Sequence, residues 1–436
     1  LNIILRILYY LLKGLTIVAL RGFYGRITIL HRERFKMDKG PYILVSNHPN
    51  TLLDPLLSGI WANRILFFLA NASLFKTPFQ NWFFSTFYCI RIERPTDVEG
   101  RPLQNDHSFA LCDLHLNRNG VLYIAPEAYS FKGRKLMPIK TGTARIALSA
   151  EDKGDFQLGL KILPVGLNYE SPYDFRSDVL IRVGEPLTVE QFEEIYREDP
   201  HGAVRQVTEL LEARLRELVI TTRDEEEDEL LARLEAMLQH EEPVGKAEQH
   251  FRARRLLGGL QQKKEEEETE WKEWKTRVHE YFNKLDANGL SDQDIARPGN
   301  CHLPRRSVLA LLSLPLFAYG WINNFLPAYI PAWMVRKLKQ AEEYDATVKI
   351  LTGLVTFPFC YILQYQIVDL LLPGPYPLLY LLSLAPMGLW AWELKKRYDR
   401  LRHSWRFERL RRAQPDKIRE LFRQRRDLME WVRGVV

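Results

Sequence analysis

Cysteine is scarce in this sequence. Four occur in 436 residues (Cys89, Cys112, Cys301 and Cys360), and none are spaced like the ligands of a metal site. They read as reduced, structural thiols of a cytoplasm-facing protein, and no metal is expected. A Gly-x-Ser-x-Gly elbow is missing, so no nucleophilic serine on a sharp strand–helix turn is expected. Sustained heptads are missing too, which speaks against a long coiled coil. No small-residue cleavage site follows the apolar residues 1–30, so a secretory signal is not expected there. Charge of one sign is nearly balanced by the other: 61 Lys and Arg against 55 Asp and Glu leave +6. That excess suits anionic lipid headgroups, coenzyme A phosphates or nucleic acid and does not choose among them. With 46% hydrophobic and 27% charged residues, the chain is partly soluble rather than a polytopic transporter.

Five regions follow from the patterning. Residues 1–30 are apolar but interrupted by Arg6, Lys13 and Arg21. Charges at such positions are costly in a span, so an amphipathic helix in the interface is expected, with a buried helix of the next domain as the alternative. Residues 31–222 alternate short β-rich runs with helical patterns. The runs are 42–45, 65–69, 87–92, 121–124, 160–165 and 179–183, with helices over 107–119, 143–151 and 203–219. The fold class predicted is α/β, a mixed, mainly covered sheet flanked by helices. Residues 223–300 are dense in charge, with Leu230, Leu231, Leu234 and Leu238 as a narrow stripe. Exposed helices, as a charged linker or a short helical hairpin, fit that pattern, with a partner-binding coiled coil as the alternative.

Residues 301–392 turn strongly apolar and predict a membrane-associated helical region. Segments 350–372 and 376–392 flank Pro373-Gly374-Pro375 and read as a helical hairpin with both ends on the cytoplasmic side. Segment 307–335 holds Asn323, Asn324, Pro327 and Pro331 between basic flanks. A re-entrant or interfacial hairpin is expected there. Residues 393–436 are basic with interleaved Trp405, Phe407, Phe422 and Trp431, suited to a helix on anionic lipid. Their place after membrane-like segments argues against nucleic acid as a partner.

The chemistry concentrates in four blocks beside predicted strands. In Ser46-Asn47-His48-Pro49-Asn50-Thr51-Leu52-Leu53-Asp54-Pro55, a His and an Asp stand six positions apart after an apolar run. A turn that delivers both to one place makes a base and its orienter. By themselves, His48 is equally a polar loop residue and Asp54 a helix N-cap before Pro55. The second block is Ile90-Arg91-Ile92-Glu93-Arg94-Pro95-Thr96-Asp97, where Arg94 is a phosphate grip or part of a surface salt bridge. The third is Ile124-Ala125-Pro126-Glu127-Ala128-Tyr129-Ser130-Phe131, and the fourth Leu163-Pro164-Val165-Gly166-Leu167-Asn168-Tyr169, with Asp174-Phe175-Arg176-Ser177 downstream.

Together these blocks resemble motifs I to IV of the glycerolipid acyltransferase superfamily, in its His-Pro-Asn-x-x-x-Asp branch. The Phe-Arg-Ser element resembles that of yeast-type glycerol-phosphate acyltransferases. The resemblance implies His48 as general base, oriented by Asp54. It implies substrate-binding groups at Arg94, Glu127, Ser130, Lys132, Arg134, Lys140 and Arg176, and an acyl-pocket or structural role for Pro164 and Gly166. Ala128 stands where the family has Gly, and no Arg stands three residues after Glu127. Lys132, Arg134 or Lys140 would supply that cation.

The reaction implied moves a fatty acyl group from acyl-CoA or acyl carrier protein to a hydroxyl of glycerol-3-phosphate or 1-acylglycerol-3-phosphate. No cofactor beyond the acyl donor is expected. Without a serine elbow, direct transfer is expected, with no acyl-enzyme. Membrane lipids are the expected partners, with the catalytic domain facing the cytoplasm. An inactive membrane scaffold of the same fold and a lipid or thioester hydrolase are the alternatives.

Overall fold

A computed structural model describes residues 3–94, 102–130, 133–298, 303–372 and 374–436. They form two units. One holds residues up to Thr221 together with Gln340–Ile350; the other holds Thr222–Lys339 and Leu351–Val436.

The first unit is built on a sheet with eight strands among the described residues. In chain order these are β1 (Ile27–Leu30), β2 (Tyr42–Ser46), β3 (Leu66–Asn71), β4 (Cys89–Ile92), β5 (Val121–Ile124), β6 (Lys161–Tyr169), β7 (Val179–Val183) and β8 (Leu187–Thr188). The spatial order is β1-β7-β6-β2-β5-β3-β4, with β8 also on β6. From β6 to β4 every neighbouring pair is parallel, whereas β7 and β8 run antiparallel to β6.

Both faces of the sheet are covered, and the pleat of β2 shows how. Ile43 and Val45 point into one core, with Cys112 and Leu116 of α4 (Asp106–Asn117), Ala147 and Leu148 of α5 (Gly142–Lys153), and Val207 and Leu211 of α7 (Pro200–Leu218). Tyr42 and Leu44 point into the other, with Leu20 and Phe23 of α1 (Ile3–Phe23) and Leu53 and Leu57 of α2 (Leu53–Gly59). Side chains alternate across a strand, so a continuous apolar run feeds two cores at once. The mixed, covered α/β sheet expected from the sequence is the fold.

Pro164 lies inside a central strand, where a missing N–H ordinarily breaks a ladder. Here the strand changes partner. Ile162 pairs with Leu187 of β8 and Val165 with Val183 of β7. Pro164 falls between these pairs, and its carbonyl accepts from Gly184 N–H at 2.8 Å. Gly166 is needed for close packing: a Cβ there would come within 2.6 Å of Leu218 Cβ at the end of α7. Both residues thus shape the packing and pairing of β6.

Helix α1 is docked along its length on the same unit. The Tyr88 hydroxyl donates to Leu5 O at 3.0 Å, Leu66 N–H donates to the Tyr9 hydroxyl at 3.3 Å, and Lys13 Nζ donates to Ala62 O at 2.6 Å. The opposite stripe, Ile3, Ile7, Leu11 and Val18, is exposed. Nearby in sequence to β3, the short helix α3 (Pro78–Thr86) has a Thr77 capping box and buries none of its residues. Its Phe79 is 69% exposed and its Trp82 59%, far more than such side chains keep without a partner.

The second unit is helical. It comprises α8 (Glu225–Glu241), α9 (Lys246–Glu266), α10 (Glu268–Ala287), α11 (Asp292–Ala296), α12 (Leu303–Leu338), the greater part of α13 (Asp345–Leu371), α14 (Tyr376–Ala413) and α15 (Pro415–Val435). Three sequence expectations are corrected here. The charged region is no exposed hairpin: Leu230, Leu231 and Leu234 of α8 are buried with Leu256 of α9 and Tyr281 of α10. The basic tail is not a free lipid-binding helix. Ile418, Leu421, Leu428 and Val432 of α15 are buried, and Trp431 stacks on Trp274 of α10 at 5.3 Å. Its apolar stripe is consumed inside the protein.

The third correction concerns 307–335, which does not turn back. It lies within one helix of 36 residues with Pro315, Pro327 and Pro331 inside it. Asn323 and Asn324 each donate to the carbonyl four residues earlier, at 2.8 and 2.9 Å, so they extend the helix rather than end it. Their free oxygens accept from Tyr380 of α14 and Tyr361 of α13 at 2.6 and 2.5 Å. Among the described residues, three helical stretches, Ile3–Phe23, Leu303–Leu338 and Glu342–Leu371, are long and apolar enough to cross a membrane.

Candidate active site

The blocks singled out in the sequence end up at one edge of the sheet. His48 follows β2, Arg94 follows β4 and Glu127 follows β5. These strands are parallel, so their C-terminal ends lie together, the usual place for ligands in open α/β sheets.

His48 and Asp54 meet. His48 Nδ1 lies 3.0 Å from Asp54 Oδ2. The intervening residues form a tight turn, with Thr51 at φ 31°, rather than a helix that would separate the pair. Asp54 is not the N-cap. Leu52 occupies that position, without a side-chain cap bond, and Asp54 sits in the first turn of α2. Its carboxylate turns back over the loop instead. Oδ2 also accepts from Asn50 N–H at 2.6 Å, and Oδ1 accepts from the Tyr169 hydroxyl at 2.5 Å. Three donors thus hold a side chain that is 0% exposed, while the His48 side chain keeps 12%. A carboxylate accepting from Nδ1 leaves Nε2 as the basic nitrogen. The imidazole is the member of the pair that can meet a substrate.

Glu127 is bonded to two stretches of backbone. Oε1 accepts from the His48 backbone N–H and Oε2 from Met137 N–H, both at 2.8 Å. It ties the histidine turn to the loop that leads into α5. Burial pushes its carboxyl up to about 7, against the pull of the Met137 and His48 N–H groups. With both oxygens occupied and 3% exposure, Glu127 holds protein loops.

Ala128 adopts φ 66°. This is the left-handed region that glycine enters freely and a Cβ disfavours by about 1 kcal/mol. The expected glycine is thus replaced while its backbone shape is kept. The next residue, Tyr129, lies under the Arg94 guanidinium, 5.3 Å from ring centre to Cζ. The second and third blocks are thereby brought together.

The remaining expected residues divide. Ser130 and Arg134 are half-buried in the loop after β5, and Lys140 is exposed with its N–H bonded to Pro126 O at 2.9 Å. Lys132 lies outside the described residues, as do 95–97 of the second block. Arg176 donates to Tyr24 O at 3.3 Å, and its own N–H donates to Phe23 O at 2.6 Å. It fastens the end of α1.

Sequence reasoning missed Tyr169 and Tyr173, and took Asn50 only as a residue that bends the turn. The Tyr173 hydroxyl donates to Pro49 O at 3.0 Å, and Asn50 Nδ2 donates to the Tyr24 hydroxyl at 3.0 Å and to Pro172 O at 2.7 Å. A signal for Tyr169 existed. Carrying the two-residue alternation Leu163, Val165, Leu167 one step further puts Tyr169 on the same sheet face.

Residues 26–168 match the family described as Acyltransferase. Glycerol-3-phosphate O-acyltransferase 2 of Saccharomyces cerevisiae is 28% identical over 62% of this chain and 39% of its own length. Glycerol-3-phosphate O-acyltransferase 1 of the same yeast is 30% identical over 26% of this chain and 15% of its own. The chain thus spans well under half the length of these relatives. The solved structure of the 1-acyl-sn-glycerophosphate acyltransferase PlsC from Thermotoga maritima is 20% identical. It covers 47% of this chain and 81% of its own, with a TM-score of 0.32, too loose a likeness to position any residue. Through residues 26–168 this chain is thus similar to the acyltransferase family, and over a longer stretch to a yeast glycerol-3-phosphate acyltransferase.

Proposed function

We propose that this protein is a membrane-bound acyltransferase acting on a phosphorylated glycerol, glycerol-3-phosphate or its 1-acyl derivative, with acyl-CoA or acyl carrier protein as donor. The observation that carries the reading is the His48–Asp54 pair, 3.0 Å apart, one member sealed and the other accessible. The acceptor hydroxyl gives its proton to His48 Nε2 as its oxygen attacks the thioester carbonyl. Asp54 stabilises the imidazolium that forms. Collapse of the tetrahedral intermediate forms the ester, breaks the C–S bond and returns the proton from His48 to the departing thiolate. Arg94 is the acceptor-phosphate grip, because a guanidinium matches phosphate in a bidentate manner. Arg134 and Lys140 lie on the same loop as Glu127 and supply further positive charge.

Membrane attachment suits substrates that partition into bilayers. A helix docked from Leu5 to Tyr24 cannot also cross a membrane without dragging the sheet edge with it. Helix α1 is therefore assigned to the interface plane, its exposed stripe toward lipid. Phe79 and Trp82 of α3 suit the same boundary. Helices α12 and α13 are assigned as spans, and the catalytic unit to the cytoplasmic side.

Radiolabelled acyl-CoA offered with a panel of phosphorylated glycerols, to wild type and His48→Ala, tests this reading. Acceptor-dependent product that vanishes in the variant supports transfer. Thioester cleavage without acceptor indicates a hydrolase instead. Liposome binding without turnover indicates a scaffold, and either result removes the proposal.

A further inference from the structure

The turn carrying the catalytic pair is held from outside by a segment some three hundred residues away. Residues 340–350 fold with the first unit although the helix they begin, α13, continues beyond it. Ala346 is fully buried in the core beneath α1 and α2. The Thr51 hydroxyl donates to Glu343 O at 2.9 Å and lies 3.2 Å from the Thr347 hydroxyl. Lys349 Nζ donates to Tyr173 O at 2.8 Å, and Tyr173 in turn donates to Pro49 O at 3.0 Å.

These ties fall on either side of Asn50. Pro49 is fixed through Tyr173, and Thr51 through Glu343 and Thr347. Between them the Asn50 N–H makes the 2.6 Å bond to the same Asp54 oxygen that meets His48. Thr51 is also a β-branched residue at φ 31°, a strained conformation that persists only where its surroundings impose it. Within the turn, Leu53 N–H donates to Asn50 O at 2.9 Å, while the bonds to the Thr51 hydroxyl itself come from outside it, from Glu343 and Thr347. The family match ends at residue 168 and does not include that outside segment.

We infer that Thr347, with Lys349, is a positioning residue for the catalytic pair, and that the foot of α13 is a working part of the catalytic unit. This rests on the acyl-transfer reading for its kinetic consequences but not for its structural ones. Loosening Thr51 lets the Asn50 N–H leave Asp54, and the imidazole loses its fixed tautomer partner. Substrate contacts are untouched, so the loss falls on kcat rather than KM.

The experiment uses the full chain in three forms, Thr347→Val, Thr347→Ser and Lys349→Met, beside wild type and His48→Ala. Steady-state transfer to glycerol-3-phosphate and amide hydrogen exchange over residues 48–54 are measured. Thr347→Val should lower kcat about tenfold with KM for both substrates unchanged, the weight of one hydrogen bond. Thr347→Ser should restore it, since the hydroxyl returns. Exchange over the turn should rise in Thr347→Val and Lys349→Met while the unfolding midpoint stays near that of wild type. A Thr347→Val enzyme with wild-type kcat and wild-type exchange overturns the inference. So does a loss matched by general unfolding and not rescued by serine. Should His48→Ala transfer as well as wild type, or neither turn over, the acyl-transfer reading fails alone. The exchange data then still decide whether 340–350 holds the turn.

Discussion

Replacing Asp54 by Asn probes the reasoning most sharply, because the shape is conserved and only the donor–acceptor balance changes. The wild-type carboxylate takes three donors: His48 Nδ1, Asn50 N–H and the Tyr169 hydroxyl, at 3.0, 2.6 and 2.5 Å. An amide offers one oxygen and one NH2. If its oxygen replaces Oδ2, the NH2 faces the Tyr169 hydroxyl, which must rotate to accept. If its oxygen replaces Oδ1, the NH2 meets the Asn50 N–H head-on. The first arrangement costs one charge-assisted hydrogen bond, about 1.5–3 kcal/mol of stability in a fully buried site.

The catalytic cost of Asp54→Asn is larger. Two unit charges about 4 Å apart at an effective dielectric constant near 20 attract by about 4 kcal/mol. That attraction exists only once the imidazolium forms, so its loss lowers kcat by about a thousandfold. Thermal unfolding and acyl transfer to glycerol-3-phosphate are the two assays. Activity within tenfold of wild type, in a folded Asp54→Asn protein, would refute the assignment of Asp54 as the group that stabilises the charged histidine.

Four further outcomes are expected. Arg94→Ala should raise the acceptor KM at least tenfold with little change in donor KM, and an unchanged acceptor KM removes Arg94 from the phosphate site. Ala128→Gly should raise stability by up to about 1 kcal/mol in denaturant titrations, since φ 66° favours glycine; a loss above that size contradicts the strain argument. Glu127 has a raised carboxyl, displaced from 4.5 to about 7 by burial. Its contribution is therefore full below about pH 4.5 and is lost as pH rises through 7. Wild type should lose about 3 kcal/mol against Glu127→Gln between pH 4.5 and 8, and a flat difference counts against that displacement. Phe79→Ser with Trp82→Ser should weaken binding of the catalytic unit's exposed face to lipid vesicles, read as tryptophan quenching or flotation; unaltered partition places the lipid contact elsewhere.

Much of the first unit was legible because its strands announce themselves as apolar runs. Tyr42–Val45 and Val121–Ile124 each pack on both sheet faces, so no polar alternation blurred them. β1 was missed because Ile27–Leu30 continues the apolar stretch of α1, and only Tyr24 and Gly25 mark the break. The meeting of His48 and Asp54 was implied by the resemblance, and spacing added only that a turn rather than a helix must join them. Tyr169 and Thr347 were not, because their partners lie 115 and 296 positions away and nothing local betrays a long-range hydrogen bond. The Asn and Pro residues of α12 misled for a related reason. In isolation they suggest a bend, but the partners that let them stay helical are tyrosines on other helices. The basic tail misled because an amphipathic stripe does not say whether lipid or protein will cover it.

Asp292 carries a consequence for how the second unit is made. Burial alone would push this carboxyl up, yet bonds from His240, Arg425 and Tyr281 hold it below its usual range. Arg425 reaches it at 2.9 Å from 133 residues further on, and reaches Glu241 across 184. During synthesis, α8 to α11 emerge from the ribosome well before their guanidinium does. Until residues 415–435 follow, the carboxylate at their centre has only His240 and Tyr281 as partners and lacks its guanidinium. Closure of the unit is thus a late, all-at-once event, and a ribosome stalled within α14 leaves a nascent chain that chaperones and proteases should recognise.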